Sequence, residues 1–261
     1  MYQLLKKTPH PALKQLVREY WYLFTSIGNP NPLSNTPTPE EAIYFYPKNK
    51  PAVFLDGEFS KTPDTVIIRQ QTERVDMLIP NDYLMFKIIF KTGGFHRLFD
   101  IPLSVFSNGH VETVCVLGNS IKELNEQIIN STSFEEMVLY AEKYLMNKVS
   151  NLRIKQQPID FVINQAHLYQ YSLDQLASDA CLSNRQFERN FLARTGVTPK
   201  MYQRILKFNQ AMKLKKEESN QTWTNITHSV GYFDQMHLLR DFKQFTNTVP
   251  TTFDFDNAII Y

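Results

Sequence analysis

The chain has 261 residues, of which 43% are hydrophobic and 21% are charged, and its formal net charge is +2. These values are typical of a globular protein with one large or two ordinary domains, and they argue against disorder. The sequence has no run of 18 apolar residues and its N-terminus lacks the pattern of a secretory signal. We therefore expect a cytoplasmic protein with no membrane partner.

The distribution of charge and the two cysteines indicate the kind of partner and the redox compartment. Residues 1–150 hold 15 Lys and Arg against 16 Asp and Glu, whereas residues 151–261 hold 13 against 10. A basic bias in the C-terminal part fits a polyanionic partner. Cys115 and Cys181 are far apart and form no CxxC motif. In a reducing compartment we expect two buried free thiols.

The first ninety residues are rich in short aromatic and β-branched runs that predict strands. Six such runs lie at residues 21–27, 42–46, 52–57, 65–70, 75–79 and 83–90. The stretch "GNPNPLSNTPTPEE" (28–41) contains four prolines and predicts a long, mobile loop. Together these features predict a small β barrel or sandwich.

The pattern changes to helical spacing after residue 100. Residues 119–130 and 133–149 carry apolar residues at intervals of three and four, which predicts two amphipathic helices. The polar stretch "NLRIKQQP" then predicts a linker, and everything beyond it reads as helices.

The C-terminal part is an internal duplication. Residues 172–202 align with residues 222–253 when one residue is inserted in the second copy. Arg189-x-Phe191 corresponds to Arg240-x-Phe242, and in each copy a proline follows ten residues after the arginine. Two copies of a unit of about fifty residues indicate a paired module and not a long repeat array.

Each copy has the parts of a helix-turn-helix. Ser172 and Ser183 each begin an S-x-x-Q capping box, and Asp234 predicts the corresponding cap in the second copy. Phe187 with Phe191, and Leu238 with Phe242, lie four apart and are predicted to face the core. Gly196 and Asn247 supply left-handed residues where the second helix of each copy ends, and Thr198-Pro199 starts the next helix.

The spaced residues of both copies also carry a family resemblance. The patterns S-L-x-x-L-A-x-x-x-x-L-S-x-x-x-F-x-R-x-F, G-x-T-P-x-x-Y and G-Y-x-D-x-x-H-L-x-R-x-F-K resemble the DNA-binding domain of the AraC/XylS family of bacterial transcription regulators. The resemblance covers about residues 158–253 and implies seven helices, with two helix-turn-helix units joined by a long helix. The stretches "PHPALKQLVREYW" and "FHRLFDIPLSVFSN" resemble, more loosely, the sensor region of a subset of such regulators.

Several positions depart from the family pattern. All but one of them lie in the joining helix or in the first helix of the second copy. They are Lys207, Lys215, Trp223, Thr227 and Val249. From these departures we expect the second unit to be less tightly packed than the first.

The combined expectation is an α+β protein with four segments. Residues 1–150 are predicted to form a mostly β, barrel- or sandwich-like sensor and dimerisation domain with following helices. Residues 151–157 are a linker, residues 158–253 an all-α DNA-binding domain, and residues 254–261 a C-terminal tail.

The DNA-reading residues are predicted from helix geometry. A helix fits the major groove of B-DNA and presents its N-terminal residues to base edges. A joining helix at about 199–217 would be ~28 Å long, close to the ~34 Å between successive major grooves on one face. The candidate contacts lie on two recognition helices, 184–194 and 235–245, and on the joining helix: Arg185, Gln186, Glu188, Arg189, Gln235, Met236, His237, Arg240, Lys243 and Lys207.

These candidates keep alternative interpretations. Arg189 and Arg240 suit guanine but also suit phosphate or a salt bridge, Glu188 suits cytosine or an intrahelical pair with Arg185, and Gln186 suits adenine. Met236 suits a thymine methyl group, and His237 suits DNA or a structural cap. Lys207, Lys243 and Lys200 are more consistent with phosphate contacts.

The function predicted from the sequence is a sequence-specific regulator that binds double-stranded promoter DNA. No nucleotide-binding, hydrolase, HExxH or clustered-cysteine motif is present, so we expect no enzyme, no metal and no cofactor. A small-molecule effector in the N-terminal domain, a homodimer and contact with RNA polymerase stay open. The alternative is that the N-terminal β domain is an enzyme or a carbohydrate-type binding module fused to a DNA anchor.

Overall fold

The computed structural model describes residues 2–26, 31–55, 57–106, 110–150, 155–218, 220–253, 255 and 258–259. Its strands are β1 (Tyr2–Lys7), β2 (Val17–Thr25), β3 (Asn31–Asn35), β4 (Glu41–Phe45), β5 (Ala52–Leu55), β6 (Glu58–Lys61), β7 (Thr65–Ile68), β8 (Val75–Ile79), β9 (Tyr83–Phe90), β10 (His110–Glu112) and β11 (Ala258–Ile259). Its helices are α1 (Gly94–Phe99), α2 (Thr113–Leu117), α3 (Asn119–Asn130), α4 (Phe134–Val149), α5 (Pro158–Val162), α6 (Leu173–Asp179), α7 (Asn184–Thr195), α8 (Pro199–Glu217), α9 (Trp223–Ser229) and α10 (Gln235–Thr246).

The strands form two sheets, which confirms the mostly β N-terminal half of the predicted α+β fold. One sheet has the order β1-β2-β9-β4-β7-β10 and the other the order β11-β3-β8-β5-β6. β9 lies in the middle of the first sheet and is buried along its whole length. Its Phe86 and Phe90 pack with Tyr20 and Phe45 in a core that α3 and α4 cover. We call this half of the molecule the β domain.

Two sequence-based expectations were wrong. Within the proline-rich stretch, residues 31–35 form β3, which pairs with β8 from Asn31–Ile79 to Asn35–Val75. Pro32 lies opposite Leu78 of β8 in this pairing. The rest of the predicted loop, residues 28–30, lies outside the described residues. Cys115 and Cys181 are free thiols but exposed: Cys115 lies on the solvent side of α2, and Cys181 lies in the turn beyond the C-cap of α6, with φ 54°.

The helices of the C-terminal half agree with the sequence patterns. α7 and α10 begin one residue after their predicted caps, and α8 runs through residues 199–217 as expected. We call α6–α7 (173–195) the first unit and α9–α10 (223–246) the second unit. α8 joins them and contributes residues to the core of each, including Tyr202 to the first and Phe208 and Met212 to the second.

Two of the unusual residues, Trp223 and Thr227, pack within the second unit. The Trp223 ring meets the Phe242 ring edge-on, with 5.5 Å between centroids. Thr227 is buried, and its hydroxyl donates to the Trp223 carbonyl oxygen over 2.7 Å. Trp223 therefore packs directly against α10, and the expectation that the second unit is less tightly packed stays a prediction.

The β domain and the C-terminal helices are in direct contact. The hydroxyls of Thr92 and Tyr202 lie 2.9 Å apart, and the Asn164 amide donates to the Thr92 carbonyl oxygen. The Arg97 guanidinium lies 3.6 Å from the buried Asp160 carboxylate, which also accepts from Arg194 in the last turn of α7. The two halves thus share buried polar contacts as well as apolar surface.

Candidate DNA-binding surface

The N-terminus of α7 is fixed by a complete capping box. Ser183 Oγ accepts from the Gln186 backbone N–H, and Gln186 Oε1 accepts from the Ser183 backbone N–H over 3.1 Å. At the other end Gly196 has φ 78°, and its N–H donates to the Leu192 carbonyl oxygen. The helix is thus capped at both ends, which fixes where it begins and ends. At Ser172 the box is incomplete, since the Gln175 amide bonds Asp179 instead.

The second unit repeats this turn with one difference. In both units a residue with positive φ follows the first helix (Cys181 at 54°, Gly231 at 76°), and the next N–H bonds back to the first helix over 2.9 and 3.0 Å. In the first unit the cap Ser183 follows at once, whereas in the second unit Phe233 stands before the cap Asp234. Phe233 is therefore the inserted residue of the second copy.

The exposed faces of both helices carry cations that the protein itself does not neutralise. Arg185, Arg189, Arg240 and Lys243 are exposed. Within the described residues none of these four side chains has a hydrogen bond or an ion pair. By contrast, Arg194 on the same helix as Arg185 is buried against Asp160 over 2.7 Å. The structure thus separates structural arginines from arginines that face solvent, and the salt-bridge interpretation of Arg189 and Arg240 finds no partner in the described chain.

Other predicted contact residues are partly occupied by the protein. Gln186 uses its carbonyl oxygen in the capping box, so only its NH2 group is left for a base. His237 Nδ1 lies 3.8 Å from the Asp234 carboxylate, whose oxygen caps α10 through the His237 N–H. Lys207 Nζ donates to the Gly231 carbonyl oxygen over 2.8 Å and keeps two further N–H donors. Gln235 and Glu188 are exposed, and in the described residues no bond joins Glu188 to Arg185.

The start of α10 has an exposed apolar edge, of which the sequence-based set contained Met236 but not Phe233. Phe233 is 85% exposed and Met236 is 57% exposed, and the Phe233 ring lies 6.1 Å from the His237 ring. In the first unit the residue before the cap, Leu182, packs on the core instead. The insertion was visible in the alignment of the two copies, but only the backbone bonds of the turn show which residue it is.

The second unit is stabilised by a buried polar network that links α8 to α10. The Arg204 guanidinium donates to Asp241 Oδ1 over 2.6 Å, and the Tyr232 hydroxyl donates to Asp241 Oδ2 over 3.1 Å. Burial, followed by the neighbouring Asp241 carboxylate, raises the pKa of Tyr232 above its ordinary value. The network uses both oxygens of the Asp241 carboxylate, which is buried on the inner side of α10.

The β domain holds a cavity of about 360 Å³ between the two sheets. Its walls are mostly apolar, and one side of it is formed by the buried ion pair of Lys87 and Glu40, whose Nζ–Oε1 distance is 3.0 Å. Burial alone raises the pKa of Glu40, but the Lys87 ammonium, the Tyr44 hydroxyl and Arg18 outweigh it and keep that pKa below its ordinary value. The Lys87 ammonium also lies 4.2 Å from the centre of the Trp21 ring.

The described residues include neither a metal-ligand cluster nor a membrane-spanning helix. No group of three His, Cys, Asp or Glu side chains in that part of the chain is placed to hold a metal ion. Among the same residues, no helix is both long and apolar enough to cross a membrane.

Comparison with known proteins places these features in a family. Residues 176–254 match the family described as "Helix-turn-helix domain", and residues 6–112 match a "Domain of unknown function (DUF6597)". No curated protein matches the chain in sequence. The capped helix pairs and the helix-turn-helix match define a DNA-binding transcription regulator. The helix-turn-helix match lies within the region whose spaced residues resemble the AraC/XylS family, and the loosely resembling N-terminal stretches fall within the second matched region.

Solved structures of similar outline have low sequence identity. ToxT from Vibrio cholerae O395 is 10% identical, with 89% of this chain and 95% of that chain covered and a TM-score of 0.44. A wild-type ToxT from Vibrio cholerae strain SCE256 with a bound unsaturated fatty acid is 11% identical, with 88% and 93% covered and a TM-score of 0.44. The AraC-like transcriptional activator CuxR is 12% identical, with 78% and 85% covered and a TM-score of 0.31. At these TM-scores the likenesses carry no argument about site residues.

Proposed function

We propose that this regulator reads one operator with both units, placing α7 and α10 in adjacent major grooves of the same DNA face. The observation that carries the proposal is the pair of capped helices with exposed, unneutralised cations on their outer faces. α8 has 19 residues, which makes it ~28 Å long and comparable with the ~34 Å groove repeat.

In the first unit we assign base reading to the two free arginines. Arg185 and Arg189 lie four residues apart on one exposed face of α7, and a guanidinium fits guanine O6 and N7 bidentately. Glu188 lies between them and is the acceptor available for cytosine N4. Reading adenine requires a donor and an acceptor together, so Gln186, with its oxygen in the capping box, contributes one donor only.

In the second unit we assign a mixed apolar and cationic edge to DNA. Met236 and the inserted Phe233 are exposed apolar groups of the kind that contact thymine methyl groups, and Arg240 and Gln235 supply polar contacts. Lys243, Lys200 and the free donors of Lys207 are assigned to phosphates, which fix register without reading sequence. His237 stays close to Asp234 and is assigned to the cap and to the backbone next to it.

For the β domain we propose binding of a small, mainly apolar molecule in the cavity. A volume of about 360 Å³ is within the usual range for small-molecule sites, and the walls are lined mainly by aliphatic and aromatic side chains. Asn35 Oδ1 is buried at this cavity and has no hydrogen-bond partner among the described residues, so it offers one acceptor to a ligand. The Lys87–Glu40 pair neutralises itself, which disfavours a strongly charged ligand.

Control of DNA binding by the cavity is supported by one shared residue. Arg69 lines the cavity and donates to the Gly196 carbonyl oxygen at the end of α7 over 3.0 Å. A ligand that contacts Arg69 therefore acts on a residue bonded to a recognition helix. The alternative, an enzyme or sugar-binding β domain, would use the polar side chains of the lining, which include Asn35, Gln71 and His110, and the sugar or substrate arm of a ligand screen distinguishes it from an apolar-ligand site.

The function is tested by selecting sites for the full-length chain from random DNA and titrating the winner by fluorescence anisotropy. We expect tight binding to the selected duplex, weak binding to its scrambled version, and a log-log salt slope of about −0.9 per phosphate contact. Equal affinity for both duplexes would exclude a sequence-specific regulator. For the cavity, we expect an apolar compound that raises the melting temperature of the protein to change its affinity for the selected duplex. An unchanged affinity would show that the cavity does not control DNA binding.

A further inference from the structure

The connection between β7 and β8, residues 69–74, bonds the C-terminal ends of both recognition helices. Arg69, its first residue, donates from Nη1 to the carbonyl oxygen of Gly196, the residue that ends α7. Arg74, its last residue, donates from Nη1 to the carbonyl oxygen of Thr246, the last residue of α10, over 3.1 Å. A six-residue segment of the β domain therefore holds corresponding points of the two units.

Both arginines are held in place by the β domain itself. Arg69 is buried and also donates from Nη1 to the Gln70 carbonyl oxygen over 3.0 Å. Arg74 donates from Nε to Asp76 Oδ1 over 2.6 Å, and the same carboxylate oxygen accepts from the Ser34 hydroxyl. Asp76 lies on β8, so this ion pair ties the Arg74 side chain to the β domain.

The fit around the end of α7 is close. A Cβ atom on Gly196 would lie 2.8 Å from Arg69 Cδ and 3.0 Å from the Leu103 carbonyl oxygen, which leaves no space for a side chain. Glycine at this position therefore serves the contact with the β domain as well as its own φ of 78°. The end of α7 is therefore closely packed against the β domain.

A third bond fixes the helix between the units. The Asn209 amide in α8 donates to the Pro37 carbonyl oxygen of the β domain over 2.8 Å. The three contacts thus fall on the end of the first unit, on the joining helix and on the end of the second unit. They leave the outer faces with Arg185, Arg189 and Arg240 exposed, so the β domain holds the units from behind without covering the surface assigned to DNA.

We propose that Arg69 and Arg74 are positioning residues that set the separation of the two recognition helices, and hence the number of base pairs required between the two half-sites of an operator. The proposal rests on the proposed reading of one operator by both units. Two sites held rigidly bind a matching spacing strongly and reject others, whereas a flexible link lowers the effective concentration at the best spacing and tolerates neighbouring ones. The β domain would then determine spacing specificity without touching DNA.

The test uses the full chain and the duplex selected for it. Around that duplex we build a series whose spacer between half-sites runs from two base pairs shorter to two longer, and we compare wild type with Arg74→Gln. Arg74 is chosen because it is partly exposed, so its loss leaves the cores intact. Lys61→Gln is the control, since it makes the same charge change at an exposed residue of β6.

We expect wild type and Lys61→Gln to share one sharp spacer preference, and Arg74→Gln to flatten it by on the order of tenfold while the base preference within each half-site is unchanged. Arg74→Lys should restore part of the preference, because one ammonium donor can reach the carbonyl oxygen. A spacer profile of Arg74→Gln that superimposes on that of wild type overturns the proposal and leaves the proposed function standing. Wild type that binds no duplex specifically overturns both.

Discussion

The two helix-turn-helix units share a backbone plan and differ at the edge that faces solvent. Each has a capped second helix that ends in a left-handed residue, Gly196 or Asn247, and a buried phenylalanine pair on its inner side. The first unit presents two free arginines with a complete capping box behind them. The second presents the inserted Phe233 beside Met236, and its inner side is held by the Arg204–Asp241 pair.

The comparison shows that the two copies share the residues that cap and pack their second helices and differ in the exposed residues assigned to DNA. Residues that cap or pack the recognition helices correspond between the copies, as Ser183 does to Asp234 and Phe191 to Phe242, whereas the exposed Phe233 has no counterpart in the first unit. Under the proposed function, we expect the first unit to prefer guanine-containing sites and the second to prefer thymine methyl groups next to a guanine or a phosphate. An operator with unlike half-sites is the expected consequence.

The largest expected effect tests whether both units are packed equally well. Phe191 and Phe242 are fully buried at corresponding positions. Replacement of either by alanine leaves a large cavity, and we expect each to lower the free energy of unfolding by about 3–5 kcal/mol, measured by urea denaturation. A clearly smaller loss for Phe242→Ala would show that the second unit is the looser one, as the family departures at Trp223 and Thr227 suggested.

The next prediction concerns a titratable group behind the first unit only. Burial raises the pKa of Glu41 to about 8, even though the Gly93 N–H donates to its carboxylate. Gly93 in turn lies against Arg194 of α7. With a folded pKa above the unfolded one, the folded state binds the extra proton. Stability from this group is therefore complete below pH 4.5 and falls as the pH rises towards 8, by roughly 1 kcal/mol per pH unit.

Glu41→Gln keeps the shape and an acceptor for Gly93 but removes the titration. We expect the difference in unfolding free energy between wild type and Glu41→Gln to change with pH between 5 and 8, in favour of the variant at higher pH. Burial also lowers the pKa of His96, so this residue contributes to the pH dependence of both proteins. Its contribution cancels when the difference between them is taken. A difference that is constant over this range would mean that the Glu41 carboxyl is solvated in solution.

The sequence predicted the parts of the fold that depend on local spacing. The duplicated caps, the left-handed Gly196 and Asn247 and the extent of α8 follow from patterns within a few residues, and the structure confirms them. β3 was missed because its prolines suggest a loop, and only pairing with β8 makes it a strand. The bonds of Arg69 to Gly196 and of Arg74 to Thr246 join residues more than a hundred positions apart, and no local pattern signals them.

The candidate contact residues were predicted as a set of helix positions, and the structure sorts them by what they already bond. Arg189 and Arg240 are free in the described chain, whereas Gln186 and Lys207 are partly used by a cap and a turn. Such sorting depends on hydrogen bonds between neighbouring turns, which a spacing rule does not contain.

A smaller effect compares the corresponding arginines. We expect Arg189→Ala and Arg240→Ala each to cost about 1–3 kcal/mol of binding at one or two base positions of its own half-site. The measurement is a competition of single-base variants of the selected duplex against each mutant. Lys243→Ala is the control for a phosphate contact and should weaken all duplexes alike while reducing the salt slope by about 1. If Arg240→Ala behaves like Lys243→Ala, the second unit reads bases through its apolar edge alone.

The smallest effect is expected from exchanging the two residues that end the recognition helices. Gly196→Asn keeps a residue that tolerates positive φ but adds a Cβ where Arg69 and Leu103 leave no space, so we expect a loss of about 1–2 kcal/mol in unfolding free energy. Asn247→Gly only removes a side chain from an exposed turn and should change stability by less than about 0.5 kcal/mol. Both are measured by urea denaturation of the full chain. Equal, small effects at the two positions would mean that the β domain does not press on the end of α7 in solution, and the two units would then differ only in the surface they present to DNA.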